Sequence, residues 1–74
     1  MDKDLMMTAC EGIATHVGLR KQAVYDFVVK HELNVVKLGM YAFENYDCGK
    51  DVIGAIVGNE TNNPFKDRVI AWCK

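Results

Sequence analysis

The stretch TACEGIATHVGLRKQAVYDFVV, residues 8–29, decides the fold. Gly18 stands between two segments whose apolar residues recur at helical spacing. Before it, Ile13, Ala14 and Val17 share one face, and Thr8-Ala9-Cys10-Glu11 fits a capping box, in which two side chains satisfy each other's free backbone N–H groups. The pattern predicts a helix over 9–17 with Thr8 as N-cap, stopped by a glycine able to adopt the left-handed conformation. After it, Ala23, Val24, Phe27 and Val28 mark a second helix over about 21–31. Its other face carries Arg20, Lys21, Gln22, Tyr25, Asp26 and Lys30. Val24, Val28 and Val29 are mediocre helix formers, so packing must hold the segment.

Downstream the pattern changes. Asn34-Val35-Val36-Lys37-Leu38 reads as a strand and Tyr41-Ala42-Phe43 as another, with Gly39-Met40 between them suited to a type II′ turn. A β-hairpin over about 34–44 is expected. Asp47 is a candidate cap for a helix over about 48–57, with Val52, Ile53, Ile56 and Val57 as its apolar positions and Gly58 at its end. Residues 59–63 read as a polar linker. Asn63-Pro64 reads as an N-cap followed by proline at the first helical position. A last helix over 64–73 places Phe65, Val69, Trp72 and Cys73 on one stripe. The chain thus reads as one domain over 1–74, mostly α with a small β-hairpin.

Two helices around a glycine turn are a common unit. Here the offsets are more particular: small Ala14 permits a close crossing, Gly18 turns, and Leu19, Val24 and Phe27 fill the crevice. These positions, with the following Val-Lys-Leu-Gly segment, resemble the winged helix-turn-helix of excisionase-type and MerR-type DNA-binding domains of phages and mobile elements, over roughly residues 8–57. The small subunits of phage terminases look similar. The resemblance implies that the second helix enters the major groove of duplex DNA. It places Arg20, Lys21, Gln22 and Tyr25 at the DNA, with Lys30 on a phosphate and Lys37 on the wing. Arginine pairs bidentately with guanine and glutamine with adenine, and lysines suit phosphates. The implied role is that of a transcriptional regulator or excisionase-like factor. This wing holds a single cation where relatives often hold several arginines, and Asp26 lies on the reading helix. Both imply weak binding by one copy, offset by a homodimer or by several copies along DNA.

Composition weighs on the other side. The chain has 74 residues, half of them hydrophobic, and a formal net charge of −1. Residues 1–44 hold five Lys and Arg against six Asp and Glu. A basic face must therefore come from sorting of charge in space. A protein-interaction module that does not bind DNA is the rival reading, and recognition of packaging-site DNA in the manner of a terminase small subunit is another. The Phe65–Trp72 stripe would be either core or a dimer seam.

Cys10, Cys48 and Cys73 are odd in number and widely spaced, and with His16 and His31 they form no metal-ligand pattern. They read as free thiols in a reducing compartment, with one intermolecular disulfide as the alternative. No phosphate loop, nucleophile elbow or cofactor motif is visible, so neither enzyme chemistry nor a cofactor is expected. With no signal peptide visible and apolar runs such as 52–57 too short for a bilayer, a soluble cytoplasmic protein without membrane contact is expected.

Overall fold

A computed structural model describes residues 2–44, 46–58 and 64–74. They form five helices: α1 (Lys3–Val17), α2 (Lys21–Lys30), α3 (Val35–Glu44), α4 (Tyr46–Gly58) and α5 (Pro64–Cys73). The mostly α class stands, but no strand occurs among the described residues.

α1 begins six residues before the expected start. Asp2 caps it: its side chain accepts a hydrogen bond from the Asp4 N–H at 2.9 Å. Thr8 is therefore inside the helix, where its hydroxyl donates to the Asp4 carbonyl at 2.9 Å. Glu11 serves no capping box and instead lies 3.8 Å from Lys21. The reason is local. Lys3, Leu5, Met6 and Met7 are good helix formers, so the helix extends back to the first aspartate that can cap it.

Gly18 closes α1 as expected, at φ 78 and ψ 32. Its N–H donates to the Ala14 carbonyl, as does that of Leu19 at 2.8 Å. This is a glycine-terminated helix end followed by an apolar residue. Leu19 then packs against the end of α4. A Cβ on Gly58 would come within 3.1 Å of the Leu19 Cδ2. α2 leaves by a similar turn, with Leu33 donating to the Val28 carbonyl at 2.9 Å, but here a non-glycine, Glu32, takes the left-handed position at φ 53.

The expected hairpin is a helix, and the wing does not exist. Asn34 caps it, its side-chain oxygen accepting from Val36 N–H at 3.0 Å and Lys37 N–H at 3.3 Å. Val35, Leu38 and Ala42 then face inward, each 4% exposed or less. A lone two-stranded hairpin is marginal in water, and no third strand occurs among the described residues. The helix instead buries three apolar side chains and satisfies its first N–H groups. The misleading signal was the further set of apolar residues at Val36, Met40 and Phe43, which completes an alternation along the sequence while pointing outward from the helix.

α4 starts two residues earlier than expected, so Asp47 lies inside the helix. α5 starts at Pro64, as the sequence implied; the linker 59–63 and the Asn63 cap lie outside the described residues. The core joins Cys10, Ile13 and Ala14 of α1 to Val24, Phe27 and Val28 of α2. The inner faces of α3 and α4 (Ile53, Ile56, Val57) and of α5 (Val69, Cys73) close it. α3 packs on α1, α4 and α5, while α2 packs on α1 and α4. The Asn34 N–H donates to the Cys73 carbonyl at 2.8 Å, joining the end of α5 to the start of α3. No helix in the described residues is long and apolar enough to cross a membrane.

Candidate nucleic-acid interface

The outer face of α2 is built by the turn before it. With Gly18 left-handed and Leu19 packed against the core, Arg20 is extended at φ −81 and ψ 142 and opens the helix. Its carbonyl accepts the first intrahelical bonds, from Ala23 at 3.0 Å and Val24 at 3.3 Å. No side chain caps this end, and its first turn holds no acidic residue. The N–H groups of the first turn and the positive end of the helix dipole therefore open toward solvent. An anion is favoured there, and backbone N–H groups at such an end suit a phosphate oxygen.

Arg20, Lys21 and Gln22 are all exposed at this end. Lys21 has Glu11 at 3.8 Å, with both side chains more than half exposed. Such a pair is worth little in water, so the ammonium can exchange its partner for a phosphate. Gln22 donates from Nε2 to Asp26 Oδ1 at 2.8 Å, one turn along. That bond orients the amide and also holds a carboxylate beside it. The Arg20 side chain forms no ion pair or hydrogen bond among the described residues. Tyr25 is half-buried, and its ring has the Lys3 ammonium 5.9 Å from its centroid. Lys30 is exposed in the last turn of α2.

Lys37 does not join this group by way of a wing. It lies in the first turn of α3, near Cys73, and its charge acts against the burial that pushes the Cys73 thiol up to about 11. Lys3 was missed because the capping box placed the first helix start six residues beyond it. The signal that could have found it is Asp2, a cap residue ahead of an unbroken run of helix formers.

The thiols of Cys10 and Cys73 are not candidate nucleophiles. Cys10 and Cys73 are free and buried, and burial raises the pKa of both, which keeps them as unreactive thiols at neutral pH. Cys48 lies outside the side chains described. Among the described residues no group of three or more His, Cys, Asp or Glu is placed to hold a metal.

A second surface differs in kind. Between α3 and α5 lies a groove of about 450 Å³, whose lining includes Met40, Tyr41, Phe65 and Trp72 together with Glu44 and Arg68. Tyr41 and Trp72 meet edge to face, with centroids 5.7 Å apart. The expected C-terminal stripe is thereby split: Val69 and Cys73 enter the core, while Phe65 and Trp72 remain about half exposed.

No family model, curated protein or solved structure matches this chain. The meaning of these two surfaces rests on their own chemistry.

Proposed function

We propose that this protein binds duplex DNA as a cytoplasmic helix-turn-helix factor, without a wing and without a cofactor, by presenting the start of α2 to the major groove. The observation that carries the reading is the uncapped, acid-free start of α2. It bears exposed Arg20, Lys21 and Gln22 directly after a left-handed glycine turn. Arg20 and Gln22 have the donor and acceptor groups that read guanine and adenine edges. Lys21, Lys30 and the first-turn N–H groups suit phosphates and set position. Lys3, near Tyr25, adds a cation to the same face. Asp26 and the net charge of −1 limit the affinity of one copy, so two copies on a two-fold site supply the contacts that one lacks.

The apolar groove between α3 and α5 favours a second reading, a protein-interaction module that never touches DNA. One experiment separates the two. Anisotropy of a labelled mixed-sequence duplex is followed at low and at higher salt with wild type and with the Arg20→Ala/Lys21→Ala variant, the fold of each checked by circular dichroism. The DNA reading expects binding that the variant loses by tenfold or more. It also expects log K to fall with log salt by about 0.9 for each phosphate neutralised. A folded wild type that leaves the duplex free at low salt rejects that reading in favour of the protein module.

A further inference from the structure

α3 is apolar on two faces. Val35, Leu38 and Ala42 are buried, while Val36, Met40 and Phe43, at i, i+4 and i+7, stand 56%, 44% and 53% exposed. A surface helix ordinarily sets polar residues opposite its buried stripe. Here the opposite stripe is as apolar as the inner one, and Met40 continues it into the groove that holds Phe65 and Trp72. Apolar surface running from Phe43 across to Trp72 marks a face that another macromolecule covers.

We infer that the occupant is a second copy of this chain, with the two α3 helices packed antiparallel about a two-fold axis near Met40. Charge complementarity selects this occupant. Beside the apolar stripe, on one flank, α3 carries two exposed charges of opposite sign: Lys37 in its first turn and Glu44 at its end. A two-fold contact requires a patch that complements itself. At about 1.5 Å rise per residue, Lys37 and Glu44 lie about 5 Å to either side of the midpoint between Met40 and Tyr41. An antiparallel partner related by that axis therefore sets its Glu44 at the height of Lys37, and its Lys37 at the height of Glu44, both on the same flank. The same operation sets Val36 near the partner's Phe43 and Met40 against the partner's Met40. A parallel two-fold arrangement would carry Lys37 and Glu44 of the partner to the opposite flank, where neither meets its counter-charge. This deepens the two-copy part of the functional reading and does not depend on DNA.

The test is the mass of the full chain in solution without DNA, by light scattering and sedimentation equilibrium. Wild type is expected at twice its 8.3 kDa. Met40→Glu is expected at the single-chain mass with an unchanged helical spectrum, because Met40 lies outside the core. Lys37→Glu and Glu44→Lys each put like charges opposite one another twice per dimer, and each is expected to raise the dimer Kd roughly tenfold. The double reversal restores the pairing and is expected to return the Kd to within a few-fold of wild type. The two reversals sit at exposed positions, so the swap remains decisive even if Met40→Glu fails to fold. A wild type that stays at the single-chain mass at its highest soluble concentration overturns the proposal. So does a dimer that Met40→Glu leaves intact, or a double reversal that fails to restore association. None of these outcomes bears on whether the start of α2 binds DNA, which the duplex titration reads separately.

Discussion

α2 and α3 are each ten residues long and each buries three apolar side chains, yet different chemistry dominates their outer faces. α2 shows Gln22, Asp26 and charged ends to water. α3 shows Val36, Met40 and Phe43. The first is a helix whose outer chemistry suits a polyanion. The second keeps its helical form and its inner packing while leaving as much apolar surface outside as within. The comparison teaches that burial and exposure need not follow sequence polarity in a chain this small. A short domain has too little interior to cover all its apolar side chains, and those left over are placed on one face.

The sharpest way to break the comparison is to exchange inner for outer. Leu38 is fully buried, and Leu38→Ala is expected to cost about 3 kcal/mol through lost transfer energy and the cavity left behind. Val36→Ser, two residues away on the outer stripe, is expected to stay within about 0.5 kcal/mol of wild type in the monomer. Urea unfolding of both at low protein concentration measures the contrast. Equal losses would mean that α3 does not present these faces as described. A smaller effect belongs to the cap. Asn34→Ala removes the side chain that receives two N–H groups of α3, and a loss of about 1 kcal/mol is expected. If Asn34→Ala is neutral in the same unfolding assay, the helix does not depend on its cap and the account of why it prevails over a hairpin fails. The smallest effect is a gain. A Cβ on Gly39 would lie 3.6 Å from Ile13 Cδ1, an ordinary contact, so Gly39→Ala is expected to stabilise by about 0.5–1 kcal/mol as helix propensity dictates. In a type II′ turn the same substitution would be destabilising, so its sign discriminates helix from hairpin independently.

The half of the molecule around Gly18 was legible in the sequence because its signals agree. Apolar spacing, a small residue at the crossing and a glycine at the stop all specify one arrangement, and the exposed residues Arg20, Lys21 and Gln22 follow from it. Pro64 fixed the start of α5 for the same reason, since its constraint is local and unambiguous. Residues 34–44 were illegible because two stripes interleave. Val35, Leu38 and Ala42 give the helix period, while adding Val36, Met40 and Phe43 fills the intervals and leaves an alternation that fits a strand equally well. Asn34 was the discriminating residue, a cap read as the first position of a strand. Thr8 erred in the other direction: a good capping box existed, but the helix formers before it made an earlier start cheaper. Of the candidate site, Arg20, Lys21 and Gln22 were legible as exposed positions, whereas Lys37 was placed on a hairpin, Lys3 was missed, and the pairings could not be read. Glu11 beside Lys21, and Lys3 over Tyr25, depend on how α1 lies along α2.

The bond from the Asn34 N–H to the Cys73 carbonyl has a consequence for the order of assembly. α1 and α2 meet across a turn of three residues, and their association closes a short loop. α5 can dock on the start of α3 only after the intervening chain has been gathered in, at a larger entropic cost. In kinetic terms α1 and α2 can form as a local hairpin of helices, whereas the groove beside Trp72 exists only in the finished molecule.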